Sequence, residues 1–169
     1  MVSPRSVWVM SQEEKPILAI RIRGPARVRP EIEDTLGYLR LRKVHNARVI
    51  KLTSDVRGMI MRAKDYITWG PIDENTATLL ISKRGRIPGN EMLTDDYVRK
   101  NSSYKSIDAF AKALVAGTAD ISDMEGLKPV FRLTPPKKGF RGKRNLPVGM
   151  GGVTGDRGQA INELAQRMI

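Results

Sequence analysis

The sequence predicts a small α/β sandwich in which helices pack on one face of a sheet, a variant of the ferredoxin-like layout. Segments with the two-residue period of strands alternate with segments of helical period, and only short connections separate them. With 169 residues, of which 40% are hydrophobic, the chain has enough apolar surface for one domain but is short for two. We therefore expect one domain over residues 1–169, with the opposite face of the sheet left open.

The first strand is predicted over residues 17–23, ILAIRIR, where apolar and basic residues alternate. One face carries Leu18, Ile20 and Ile22, and the other Ala19, Arg21 and Arg23. This is the pattern of a strand with one buried side. The two arginines have two interpretations: they belong to a solvated outer face, or their guanidinium groups face a phosphate backbone. The strand pattern alone slightly favours the first.

A helix is predicted over residues 30–43, PEIEDTLGYLRLRK, and a second strand over residues 47–53. Proline suits the first helical turn, acidic residues lie near the start of the helix, and basic residues lie near its end. Ile32, Leu36 and Leu39 form its apolar stripe. Interaction with the helix dipole, about 0.3–1 kcal/mol per exposed charge, is enough to explain the basic end without RNA.

A second helix is predicted from about Asp55, capped by Ser54 or Asp55 itself. Its apolar face consists of Val56, Met59, Ile60, Ala63 and Ile67. This stripe indicates a helix that closes the core, so its basic residues are the last choices for phosphate contacts. Residues 66–72 follow as an extended segment, and residues 76–83, TATLLISK, are predicted to form another strand after a turn at 73–75.

The rest of the chain predicts a helical annex and a C-terminal extension. Helices are expected to begin near Thr94 and Ser106, and the second ends at Gly117. Residues 130–133 predict a short strand, and residues 159–168 predict a terminal helix. The expected division of the domain is a core of residues 16–90, an annex of residues 91–129, and a basic loop with the terminal helix over residues 130–169.

The net charge of +12 and the isoelectric point near 10.3 indicate a partner that supplies negative charge, and nucleic acid is the leading candidate. The chain has no cysteine, which excludes disulfides, thiolate zinc sites and cysteine nucleophiles and fits a reducing setting. Residues 1–16 lack the apolar segment of an export signal, and no run reaches membrane-spanning length. We expect a cytoplasmic protein with no membrane partner.

Basic residues are concentrated in two segments with interleaved glycines, residues 83–86 and 137–144. Arginine forks match phosphate oxygens in pairs. The first segment is predicted to be a loop at a sheet end, and the second an extended segment that its partner orders. Phe140 either stacks on a base or packs against the domain. The predicted RNA contacts are Arg21, Arg23, Lys83, Arg84, Arg86, Lys137, Lys138, Arg141, Lys143 and Arg144.

No pattern in the sequence predicts catalytic residues, a metal site or a cofactor. The glycines at 149–155 match neither the dinucleotide-binding nor the P-loop spacing, and His45 is the single histidine. No serine lies in a nucleophile-elbow context. Asp95 and Asp96 are explained as partners of a helix start, and a metal-dependent nuclease is the enzyme alternative that would use them. We expect neither a cofactor nor a small-molecule substrate.

Four segments in this order, ILAIRIRG, LGYLRLRKVHNARVIKLT, DVRGMIMRAKDYITWG and LLISKRGR, resemble the large-subunit ribosomal protein thirty family. The segments FRLTPPKKGFRGKR and INELAQRMI resemble its archaeal branch, which is akin to eukaryotic large-subunit ribosomal protein seven. The resemblance spans nearly the whole chain. Its most specific parts are residues 57–60 with Trp69 and Gly70, and residues 83–86.

The resemblance implies an α+β fold, a small three-stranded antiparallel sheet with two helices on one face, to which the annex and extension are added. It also implies a non-enzymatic structural constituent of the large ribosomal subunit that binds and stabilises rRNA. The implied partners are 23S rRNA, 5S rRNA nearby, and neighbouring ribosomal proteins. By position, Arg21 and Arg23 fall in the first-strand motif, and Lys83, Arg84 and Arg86 in the loop motif. The alternative is a free-standing RNA-binding regulator of translation or RNA processing, which would use the same residues.

Overall fold

The computed structural model describes residues 15–169. Its strands are β1 (Pro16–Arg21), β2 (Asn46–Lys51), β3 (Ile67–Pro71), β4 (Phe131–Arg132), β5 (Lys143–Pro147) and β6 (Gly152–Asp156). Its α-helices are α1 (Pro30–Tyr38), α2 (Ser54–Arg62), α3 (Glu74–Arg84), α4 (Asp95–Asn101), α5 (Ile107–Ala116) and α6 (Ala160–Met168). The prediction about an export signal concerns residues 1–16, almost all of which lie outside the described range. Within residues 15–169, no helix combines the length and the apolar character needed to cross a membrane.

The six strands of residues 15–169 form one mixed sheet in the order β4-β2-β1-β3-β6-β5. Its centre is antiparallel, because β1 pairs with β2 on one side and with β3 on the other. Strand β4 extends the sheet antiparallel to β2, whereas β6 pairs parallel to β3 and β5 parallel to β6. The expected α+β class is confirmed, and the three antiparallel strands lie at the centre of a sheet that is wider than predicted.

The added strands β5 and β6 lie in segments that have no alternating apolar pattern. Four of the five residues of β5 are exposed, and β6 contains two glycines. At Gly152, an added Cβ would collide with the carbonyl group of Leu146 on the neighbouring strand, so only glycine allows the strands to approach this closely. A glycine-rich segment that the sequence presents as a loop therefore builds one edge of the sheet.

Both faces of the sheet are covered, so the prediction of an open face is wrong. Every residue of β1 is buried. Leu18 and Ile20 pack into an apolar cluster with α3, α5 and α6, whereas Ile17 and Ala19 pack into a second cluster with α1 and α2. The predicted division of the β1 side chains between two faces is confirmed. Helix α3, the annex and the terminal helix supply the layer that the prediction left out.

The segment predicted as a strand at 76–83 lies in helix α3, so this prediction is wrong. The Asp73 carboxylate caps the helix by accepting the Thr76 backbone N–H at 2.7 Å. Thr76, Ala77, Leu80 and Ile81 are buried, which is the i, i+1, i+4, i+5 spacing of a helix face. The cap and the packing against the sheet outweigh the β-branched composition of the segment.

The first two helices differ from prediction mainly at their ends. Helix α1 stops at Tyr38 rather than at residue 43, because Arg40 takes a left-handed backbone conformation with φ of 58°. The burial of Leu39 and Leu41 on either side of Arg40 explains this turn. Helix α2 is capped by the Thr53 hydroxyl, which accepts the Val56 N–H at 3.3 Å, rather than by Ser54 or Asp55.

The annex and the terminal helix confirm their predicted patterns. Thr94 and Ser106 cap α4 and α5, and Gly117 ends α5 with a left-handed φ of 82°. Asp95 accepts the Ile107 N–H at 2.9 Å, and Asp96 lies 3.7 Å from Arg99. The apolar face of α6 is buried as predicted: Ile161, Leu164, Ala165 and Met168. Among residues 15–169, no cluster of three or more histidines or carboxylates is placed to hold a metal ion.

Candidate nucleic-acid interface

An open groove of about 600 Å³ lies between the end of α1 and the edge strand β4. One wall is formed by the segment after α1, and the other by the segment that leads into β4. The cations that line it are Arg40, Arg42, Lys43, Lys128 and Arg132. No carboxylate from residues 15–169 lines the groove. The fold therefore gathers cations from distant parts of the chain into one concave surface.

A smaller cavity of about 200 Å³ continues the groove toward the end of α3. The two spaces share Lys128, Val130 and Arg132 as lining residues and are therefore adjacent. The smaller cavity adds Arg84 and Arg86, and again no carboxylate of the described chain lines it. We call the combined surface the basic groove. Its cations are Arg40, Arg42, Lys43, Arg84, Arg86, Lys128 and Arg132.

Arg21 holds one wall of the basic groove from inside the protein. Its side chain is fully buried, and its Nη1 atom donates to the backbone carbonyls of Leu41 and Arg42, each at 2.9 Å. Its Nε atom donates to the Arg23 carbonyl at 2.8 Å, and Nη2 lies 3.2 Å from a carboxylate oxygen of Glu33. Both interpretations of Arg21, solvated or facing phosphate, are wrong, because its side chain is fully buried and each of its three guanidinium nitrogens donates inside the fold. Arg21 positions the backbone of Leu41 and Arg42 instead.

Arg23 remains at the surface, beside the end of β1. It is half-buried, and its guanidinium carbon lies 4.9 Å from the centre of the Tyr66 ring. One of its nitrogens is also 3.5 Å from the Asp65 carbonyl. This stacking keeps the charge accessible while the side chain is held in place.

The predicted loop of residues 83–86 is in fact the end of α3 and the turn after it. Lys83 and Arg84 belong to the last helical turn. Arg84 donates to the Ile169 carbonyl at 2.7 Å, and the Arg86 carbonyl accepts the Lys128 N–H at 2.9 Å. These contacts place Arg84 and Arg86 along the basic groove, whereas the exposed Lys83 does not line it.

The basic tail, residues 137–144, is anchored to the domain, contrary to the prediction that a partner must order it. Phe140 is buried, and its ring stacks on that of His45 with centroids 6.0 Å apart. Arg167 donates to the carbonyls of Lys137 and Gly139, at 3.2 and 2.6 Å. Of the two interpretations of Phe140, packing against the domain is the one observed. The five cations of the tail are all exposed: Lys137, Lys138, Arg141, Lys143 and Arg144.

His45 joins the basic tail to the basic groove. It follows Lys43 by two residues in the chain and packs on Phe140, which Arg144 covers at 5.3 Å. The pKa of His45 is lowered from its ordinary value, because burial disfavours the imidazolium and the nearby positive charge of Arg144 repels it. The neutral ring therefore carries the stacking contact that links the two basic surfaces.

Comparison with known proteins agrees with this architecture. Residues 17–67 match the family described as Ribosomal protein L30p/L7e. A protein of Methanobrevibacter smithii named Large ribosomal subunit protein uL30 is 47% identical over 152 residues, which cover 90% of this chain and 99% of that protein. The chain belongs to the L30p/L7e family. Proteins with the same name from Methanosphaera stadtmanae and Methanopyrus kandleri are 46% and 41% identical and cover 89% and 88% of this chain, and 97% and 100% of their own lengths.

Within this L30p/L7e chain, sequence reasoning missed most of the basic groove. The sequence pattern assigns Arg40, Arg42 and Lys43 to the end of a helix and its dipole, but that helix stops before them. Lys128 and Arg132 are isolated charges in the sequence. One signal was present: Arg40 and Arg132 each stand between two apolar residues that are buried, which forces the charged side chain to the surface.

Proposed function

We propose that this chain is a structural constituent of the large ribosomal subunit that binds and stabilises rRNA through its phosphate backbone and its folded shape. Its relatives of 41–47% identity are named as large ribosomal subunit proteins. The observation that carries the proposal is the basic groove, whose lining includes seven cations and no carboxylate of residues 15–169. The nearest carboxylates lie in the spaces that adjoin it at Arg42 and Arg40: Glu33, Asp34, Asp120 and Glu125.

Charge neutralisation explains how such a surface binds RNA. Each phosphate that a lysine or arginine neutralises releases counterions, which gives a log–log salt slope of about −0.9 on a duplex and about −0.7 on a single strand. Because side chains cannot read the deep groove of A-form RNA, recognition rests on phosphates, 2′-hydroxyls and unpaired bases. The concave form of the basic groove adds shape selection to this attraction.

The basic tail forms a second contact surface in this proposal. Its five charges project from a backbone that Phe140 and Arg167 hold against the domain. Lys138 and Arg141 have left-handed backbones, with φ of 64° and 56°, so the segment is held in a defined turn. The proposed RNA contacts differ from those predicted from the sequence in two ways: Arg21 is left out, and five groove cations are added, Arg40, Arg42, Lys43, Lys128 and Arg132. The predicted contacts that remain are Arg23, Lys83, Arg84, Arg86, Lys137, Lys138, Arg141, Lys143 and Arg144.

The expected partners are 23S rRNA and neighbouring ribosomal proteins. A position near 5S rRNA is the finer proposal, and it is supported by the resemblance to the archaeal branch of the family. We also propose that the core, annex and extension act as one domain, because side chains from all three fill the same apolar cluster. The role is proposed to be non-enzymatic: Asp95 and Asp96 already serve as partners of Ile107 and Arg99.

A charge-removal experiment tests the groove. The double variant Arg42→Gln, Arg132→Gln is compared with wild type for binding to isolated large-subunit rRNA over a range of salt concentrations. We expect weaker binding and a salt slope that is smaller by about 0.7–0.9 for each charge removed. The matched control is the double variant Lys100→Gln, Lys112→Gln, which removes two exposed charges on α4 and α5 outside the groove. Equal losses in the groove variant and the control would show that the groove has no special role.

Two further measurements separate the alternatives. A structural constituent sediments with large ribosomal subunits at high salt, whereas a free-standing regulator is released. Magnesium-dependent cleavage of RNA by the purified protein, abolished by Asp95→Asn with Asp96→Asn, would contradict the non-enzymatic role.

A further inference from the structure

We propose that Tyr38, at the C-terminal end of α1, stacks on an unpaired nucleobase of the RNA that occupies the basic groove. The proposal rests on the proposed function, since it requires RNA in the groove. It goes further by naming the form of RNA recognised: a strand that presents at least one base outside a helix at this point.

The first observation is the exposure of Tyr38. Its side chain is 75% exposed, more than any other large apolar or aromatic residue noted at the surface of residues 15–169. It stands on a regular helix whose other face is held in the core by Leu36, so its position is fixed by α1. An aromatic ring on a rigid element presents a flat surface to a base, at little cost in side-chain entropy.

The second observation is a cavity of about 430 Å³ beside the ring. It is lined by Glu33, Asp34, Gly37, Tyr38 and Arg42. Gly37 and Arg42 also line the basic groove, so the cavity lies beside it. The Arg42 guanidinium lies directly beside Gly37: its Nη2 atom is 3.8 Å from where a Cβ would stand, an ordinary van der Waals contact.

The charges of the two neighbouring spaces favour different parts of a nucleotide. The groove has cations and no carboxylate from the described chain, which suits phosphates. The cavity beside Tyr38 has two carboxylates, those of Glu33 and Asp34, which repel phosphate. Glu33 is already paired with Arg21, which leaves Asp34 exposed as an acceptor. A neutral base with an exocyclic amino group therefore fits the cavity, with its phosphate on Arg42.

The test compares Tyr38→Ala, Tyr38→Phe and Met61→Ala in the full chain, with isolated large-subunit rRNA as the probe. Met61 is the matched control, because it is also exposed and apolar but lies on α2 and does not line the groove or the cavity. Losing one stacked base weakens binding about 5- to 150-fold, and the salt slope stays the same since no charge is removed. We expect this loss for Tyr38→Ala only, because Phe keeps the ring.

Chemical probing of the same complexes gives an independent readout. In the wild-type complex, one or a few unpaired bases are protected, and Tyr38→Ala loses this protection while the backbone protection of the neighbouring nucleotides remains. Unchanged affinity of Tyr38→Ala would overturn the stacking proposal and leave the groove in place. The stacking proposal would also be overturned if Tyr38→Ala binds rRNA normally but enters subunits poorly, since Tyr38 would then contact a protein. If the wild type fails to bind the rRNA, the proposed function itself is wrong.

Discussion

The two basic surfaces of this protein are fixed to the same fold by opposite means. The wall of the basic groove at Leu41 and Arg42 is held by a buried cation, Arg21, which binds its backbone carbonyls. The basic tail is held by a buried aromatic ring, Phe140, which inserts beside His45. In both, a central anchor is a side chain whose role the sequence does not reveal: an arginine that is not on the surface and a phenylalanine amid charges.

This comparison shows that charge density along the chain does not reveal whether a segment is ordered. The tail has the densest run of cations and is nevertheless anchored at several points. The groove wall looks like the end of a helix and is instead an irregular turn. Substituting each anchor in turn tests whether the two surfaces depend on these side chains.

The largest effect is expected for Arg21→Met, which removes the anchor of the groove. The change leaves the carbonyls of Leu41 and Arg42 without their donor, at about 1–3 kcal/mol each. The lost ion pair with Glu33 adds less, because the Glu33 carboxylate is 40% exposed. Denaturant unfolding measures the change in the free energy of unfolding. Arg23→Met is the control, because that half-buried arginine contributes about 0.5–1 kcal/mol through Tyr66. Similar losses in both variants would contradict the anchoring role of Arg21.

The next effect is expected for Phe140→Ala, which removes the anchor of the tail. Truncating a buried phenylalanine costs about 3 kcal/mol, the low end of the range for core positions, because Phe140 packs near the surface. The comparison variant neutralises Lys137, Lys138, Arg141 and Lys143 to glutamine. We expect it to weaken rRNA binding and lower the salt slope, with unfolding changed by no more than about 1 kcal/mol, since its one ion pair, with Glu163, is exposed. A collapse of stability in the neutralised variant would mean that the charges themselves are structural.

The smallest effect concerns His45, where the two surfaces meet. Its pKa is lower in the folded protein than the ordinary value of 6.5, so the folded state binds fewer protons than the unfolded chain. The contribution of this pKa difference to the free energy of unfolding is complete above pH 6.5, and it is lost as the pH falls through the pKa of His45 in the folded state. The free energy of unfolding of wild type should therefore fall more between pH 7 and 5 than that of His45→Gln. Parallel curves of unfolding free energy against pH would refute this link between His45 protonation and stability. The chain has one histidine, which makes the difference between the two curves specific.

The sequence predicts those helix ends that depend only on residues close together in the chain. The caps at Thr94 and Ser106 and the stop at Gly117 were readable because each is a side-chain or backbone requirement within a few residues. Helix α3 was misread because its β-branched composition resembles a strand, and only packing on the sheet selects the helix. Spacing along the chain could not show that residues near 42, 85 and 130 meet in one groove.

The pairing of β6 with β3 has a consequence for how the protein is made. The Thr68 hydroxyl donates to the Gly155 carbonyl across 87 residues of sequence, and these two strands lie inside the sheet. Residues 16–71 can pair early, but contacts of such long range form slowly and only after late segments are synthesised. Until then β3 presents an unpaired edge. Because the groove also needs Arg132 beside Asn46, a nascent chain completes the basic groove only after residue 132 has been synthesised.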